Sequence, residues 1–159
     1  NENKDFYNDL MVRFIGDFDK EIFSNKDIKS IKSKVKFEKY FEKSKLDIEM
    51  SKANVLLLTS VNLKNINNII PGKLFYYFSF KRPIIAFSNS NSDTSNIVIK
   101  SKTGKVFDYT NHIDLKNHIL ELYSDFKSNK NSFNPKDLIS YTYKNLSQNI
   151  DVLLKKTIS

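Results

Sequence analysis

The sequence predicts one α/β domain of Rossmann-like type spanning 1–159. Its parallel sheet has five or six strands, ordered 3-2-1-4-5, with helices on both faces and a helix closing the chain. Three observations predict it. Short apolar runs alternate with segments of helical period. The run 55–58 (VLLL) is continuous, as in a parallel strand covered on both faces. And 159 residues, 40% hydrophobic and 28% charged, suffice for one domain with a real core.

The elements follow in order. LMVRFIG (10–16) reads as a strand, and the segment 19–34 after it as a helix. VKFE (35–38) is a second strand, and 43–53 carries a second helix. NVLLLTS (54–60) is the third strand, followed by an Asn-rich loop, VNLKNINNI (61–69). A short aromatic helix opens at Pro71-Gly72 and leads at once into a proline-led strand, PIIAF (83–87). DTSNIVIKS (93–101) is helical and GKVFDY (104–109) is the fifth strand. The next helix starts from Asn111 as N-cap and bears Leu115, Ile119, Leu122 and Phe126 on one stripe. The last starts at Asn134-Pro135 and bears Ile139, Tyr143, Leu146, Ile150 and Leu153 on another.

Several chemistries are excluded. There is no Cys, hence no disulfide and no thiolate metal site. No apolar run approaches the roughly 20 residues that span a bilayer. The chain lacks the G-x-G-x-x-G, G-x-x-x-x-G-K-[ST] and G-x-S-x-G patterns. His112 and His118 stand six apart on one helix, off the i, i+4 spacing of a helical metal pair, and read as surface residues. No metal is expected. The net charge is +8, carried mostly by lysines spread along the chain, with a loose group in SIKSKVKFEKYFEKSK. It is expected to give a solvated basic face or an acidic ligand, not a nucleic-acid partner. The start, NENKDFYNDL, has no initiator Met and no signal-peptide pattern, and is expected to be an excised piece.

Sheets of this class bind ligands beyond the carboxyl ends of their strands. Gly16, Tyr40, Thr59 and Ser88 follow strands one to four. The head of the Pro-Gly helix adds a second reason. Backbone N–H groups at a helix start suit an anion, and a lysine there is misplaced for helix stability. Lys73 occupies that first turn. At 100° per residue Tyr76 lies near Gly72 and Lys73, away from Leu74, Phe75 and Phe78. Tyr76 is therefore expected on the cleft side, beside a glycine that admits a ligand.

PGKLFYYFSFKRPIIAF, then SDTSNIVIKSKTGKVFDYTN, then YTYKNLSQNIDVLLKK, in that order and spacing, resemble the C-terminal half of a GT-B glycosyltransferase. Within that fold the pattern resembles the bacterial retaining enzymes of the glycogen-synthase-like family that build surface polysaccharides. The resemblance covers about residues 10–157. It implies a nucleotide-sugar-binding domain, with Gly16, Tyr40, Thr59, Asn68, Gly72, Lys73, Tyr76 and Tyr77 around the donor. It implies no cofactor, the nucleotide sugar being substrate. A glycan or lipid-linked acceptor would be held by an N-terminal domain absent from these 159 residues. The setting would be cytoplasmic, at the inner face of the membrane, with peripheral membrane contact. The family's glutamate in this helix, and an acidic residue eight positions earlier, are Tyr76 and Asn68 here. No catalytic residue is identified in this half. A non-catalytic GT-B-like interaction domain and a sugar-nucleotide epimerase-like domain are the alternatives.

Overall fold

The computed structural model describes residues 3–19, 21–22, 25–60, 68–130 and 132–158. The class is α/β with parallel strands, as the alternation predicts, but the strands form two small sheets. The chain divides into two compact units, 1–51 and 52–159.

The first unit holds helix α1 (Lys4–Asp9), strand β1 (Val12–Ile15), helix α2 (Lys26–Ser30), strand β2 (Val35–Glu38) and helix α3 (Lys43–Ser51). β1 and β2 pair in parallel, Val12 opposite Val35 and Ile15 opposite Glu38. On one face Phe14 stacks on Phe37 at 5.2 Å, and Phe18 meets Phe37 edge-on at the same distance. Arg13 bonds Glu38 at 2.7 Å and reaches Glu49 of α3 at 2.5 Å. The helix expected over 19–34 is broken among the described residues into 3-10 residues at 21–22, α2, and a 3-10 turn at Lys32–Lys34. Asn25 explains the late start: its side chain accepts from the N–H groups of Asp27 (2.8 Å) and Ile28 (3.3 Å), an N-cap inside the expected helix.

The second unit holds β3 (Leu56–Thr59), α4 (Gly72–Phe78), β4 (Ile84–Phe87), α5 (Asp93–Lys100), β5 (Gly104–Phe107), α6 (His112–Lys127) and α7 (Tyr143–Ile158). Its sheet runs β3-β4-β5, all parallel, with Leu56 opposite Ile84 and Ile84 opposite Gly104. The Asn-rich loop lies outside the described residues except for positions 68 and 69.

Two expectations are corrected here. The single sheet of five or six strands, ordered 3-2-1-4-5, does not form, and β3 pairs with β4 instead of lying beside β2. The physical reason is in the edges. The β3–α4–β4 crossover returns to the neighbouring strand, as sequential elements commonly do. β2 alternates apolar and charged residues, so it offers β3 no continuous apolar edge. The second correction concerns the strand buried on both faces. In β3, Leu56 and Leu58 are buried but Leu57 is 39% exposed, whereas β4 buries Ile84, Ile85 and Ala86 in succession. β4 is the central strand of the three, and β3 is an edge.

The last helix also starts later than expected. Residues 132–137 have no regular secondary structure, a 3-10 turn covers Leu138–Tyr141, and α7 begins at Tyr143. A non-local bond ties this segment to the end of α5: the Lys136 N–H donates to the Ser101 carbonyl at 2.7 Å. Asp137 then takes a left-handed conformation at φ 53° before the 3-10 turn. Among the described residues, no helix is long and apolar enough to cross a membrane.

Candidate functional site

The carboxyl ends of β3, β4 and β5 form one rim in the second unit, and α4 opens there. A crossover helix between parallel neighbours runs back along them, which puts its first residue at the end of β3. α4 is anchored on one side by Leu74 and Phe78, both buried. Tyr141 packs against that helix, 6.0 Å from Phe75 and 5.5 Å from Phe78, ring to ring. The approach to α4 is fixed by Thr94, fully buried in α5, whose hydroxyl donates to the Ile69 carbonyl at 3.2 Å.

The head of α4 differs from those of α1, α2, α5 and α6. Asn3, Asn25, Ser92 and Asn111 cap α1, α2, α5 and α6 through their side chains. At α4 the cap position is Pro71, with no side-chain cap bond, and the first turn has no acidic residue. Its first inward bond is Leu74 N–H to the Pro71 carbonyl, 2.9 Å. Gly72 and Lys73 are exposed. A β-carbon built on Gly72 would meet nothing within 4 Å, so the glycine leaves open space and is not required by packing.

The remaining expected residues divide. Thr59 ends β3 and is exposed, as is Asn68 on the approach to α4. Tyr76 is half-buried, its ring edge-on to Phe80 at 5.0 Å. Tyr77 faces the sheet: its hydroxyl donates to the Leu57 carbonyl at 3.2 Å. Burial raises its phenol above the ordinary range. Leu56 and Ser60 turn their N–H groups to β4, so Leu57 turns its carbonyl to the open edge, where Tyr77 satisfies it. Thr59, Asn68, Gly72, Lys73, Tyr76 and Tyr77 thus belong to one unit. Gly16 and Tyr40 belong to the other. Gly16 ends β1 at φ +137°, a glycine conformation, and its N–H donates to the Glu38 carbonyl at 3.0 Å. Tyr40 is exposed just beyond β2.

Four further residues lie at this rim: Ser60 and Ser88 stand after their strands as expected, whereas Asp108 and Tyr109 were not singled out from sequence. Ser60 has a buried hydroxyl oxygen with no hydrogen-bond partner among the described residues. Tyr109 donates its hydroxyl to the Ser60 carbonyl and stacks on Phe87 at 5.5 Å. Desolvation raises the Tyr109 phenol. Asp108 accepts from the Thr110 N–H (3.0 Å) and hydroxyl (2.9 Å), which hold its carboxyl below the usual range. Ser88 closes β4 in a buried hydroxyl chain, 2.7 Å from Ser92, itself 2.9 Å from Ser95. Their shared signal was position: each lies within two residues of a strand's carboxyl end.

His118, read as a surface residue, is part-buried. Its ring lies 5.6 Å from that of Phe107, because α6 packs this side of its stripe towards β5.

The electrostatics are lopsided. Residues 1–51 carry eleven basic and eleven acidic side chains, a net charge of zero. Residues 52–159 carry fifteen basic and seven acidic ones, so the whole +8 belongs to the second unit. Lysines are denser in the first unit, ten in residues 1–51 against fourteen in 52–159, but the acidic residues fall off more steeply. What the head of α4 can do chemically follows: N–H groups without a side-chain cap and the Lys73 ammonium lie in one turn of a positive unit, a set that suits anionic oxygen. No protein-family model matches the chain, and no curated protein matches it.

Proposed function

We propose that this chain is the donor-binding half of a glycosyltransferase acting in bacterial surface polysaccharide or glycan synthesis. The diphosphate of a nucleotide sugar sits at the head of α4, with Gly72 giving it room and Lys73 giving it a counter-charge. Ribose hydroxyls reach Tyr76 and Asn68, which stand where the resembled family has acidic residues. One observation supports this above the rest: α4 opens at the carboxyl end of β3 with no capping side chain, in the unit that carries all of the net positive charge. In transfer the leaving nucleoside diphosphate gains charge, and preorganised N–H donors and Lys73 stabilise it there. The acceptor, a glycan or lipid-linked sugar, is held by a domain outside these residues, at the inner face of the membrane.

Calorimetric titration with nucleoside diphosphates tests the reading. Lys73→Ala should weaken binding by about 1–3 kcal/mol and leave folding unchanged. Tyr76→Glu should strengthen the preference for ribose over 2'-deoxyribose. If the folded chain takes up no nucleoside diphosphate, a non-catalytic interaction domain is the better description. The ring packing of Tyr76 on Phe80, in place of a free carboxylate, is the observation that favours it.

A further inference from the structure

We propose that α7 is a membrane-surface helix that seats this unit on an anionic bilayer. α7 is 16 residues long and packs on the 3-10 turn before it. Its apolar residues face outward: Leu146 is 41% exposed, Ile150 58%, Leu153 63% and Leu154 55%. At 100° per residue these four fall within about 100° of the circumference. Lys144 lies beyond one border of that stripe and Lys156 beyond the other. Asp151, the one acidic residue of the helix, is neutralised by Lys155 at 2.7 Å. A narrow apolar stripe between lysines, on a helix of low overall hydrophobicity, suits the boundary between headgroups and acyl chains.

Charge selects the occupant. The unit bearing α7 holds the whole +8, so a second copy would bring like charge against like. An anionic headgroup layer brings the opposite charge, about 1 kcal/mol for each lysine near the surface. Nucleic acid would use the lysines and leave the stripe in water. The proposal does not depend on the donor-binding reading, and each can fail alone.

Co-sedimentation of the full chain with vesicles tests it. Vesicles of equal parts phosphatidylglycerol and phosphatidylcholine should retain the chain, and phosphatidylcholine alone should not. High salt should release it by about tenfold or more. Ile150→Asp with Leu153→Asp should abolish retention, and Lys144→Glu with Lys156→Glu should weaken it by at least about tenfold. Circular dichroism checks that each variant folds; should the apolar pair fail to fold, the lysine pair and the salt series still decide. The proposal is overturned if the chain ignores phosphatidylglycerol or binds both vesicle types equally. Retention of the folded aspartate pair would also overturn it. So would a concentration-dependent dimer that the aspartate pair dissolves, since a second copy would then cover the stripe.

Discussion

Gly104 is where a single methyl group has the least room. A β-carbon there would stand 1.8 Å from the Ile84 carbonyl oxygen, in the backbone of the neighbouring strand. Gly104→Ala must therefore push β4 and β5 apart, and should cost about 3 kcal/mol or more in urea unfolding. Gly16→Ala meets no atom but inherits φ +137°, and should cost about 1–3 kcal/mol through backbone strain alone. Gly72→Ala has neither problem, and its stability should stay within about 1 kcal/mol of the parent, on the stabilising side if anything. Of three glycines that look alike in sequence, two serve the fold, and Gly72 is required by neither packing nor backbone conformation. Glu38 gives a residue-scale pH prediction. Its hydrogen bond to Arg13 holds the carboxyl below its ordinary value. The linked stability is present above the ordinary glutamate range and is lost as pH falls through the lowered value. Unfolding midpoints measured across acid pH should show this loss, and Arg13→Gln should flatten it.

At the scale of elements, α7 separates two expectations. A stripe packed into a core would contribute about 1.5–3 kcal/mol per residue. The stripe of α7 is exposed, so deleting 143–159 should change the unfolding free energy by only about 1 kcal/mol or less. A large loss on deletion would mean that α7 is part of the core after all. Sequence legibility divides along the same line of local against distant cause. The cap Asn111, the strand VKFE and the α4 start at Pro71-Gly72 are set by neighbours within a few residues, and were readable. The start of α7 was not, because Lys136 is held by Ser101, thirty-five positions earlier. Strand pairing was not readable either. The apolar run 55–58 looks the same at an edge as in a centre, and only the choice of β4 as partner shows that Leu57 faces outward. At the candidate site Lys73 and Gly72 could be placed by helix geometry. The Thr94 bond to Ile69 and the Tyr77 bond to Leu57 join separate elements and had no sequence signal. Tyr77→Phe should remove only that edge bond, costing about 1 kcal/mol of stability with ligand affinity unchanged.

At the scale of the whole molecule, charge and topology point to the same unit. The three-stranded parallel sheet, the uncapped head of α4 and the full +8 all lie within 52–159. The 1–51 unit is neutral, with its Arg13 carboxylate pairs and phenylalanine stack as its own internal order. A long-range attraction for anions should therefore come from the second unit and weaken as salt rises. The central claim is that a nucleoside diphosphate lands at the head of α4. The most direct measurement is a nuclear magnetic resonance titration of the nitrogen-15-labelled chain with uridine diphosphate and, separately, guanosine diphosphate. The account predicts that the amides of Gly72, Lys73 and Leu74 shift first with both ligands, and that Lys73→Ala weakens both alike. Saturable shifts centred on any other element, with those three amides unmoved, would contradict it.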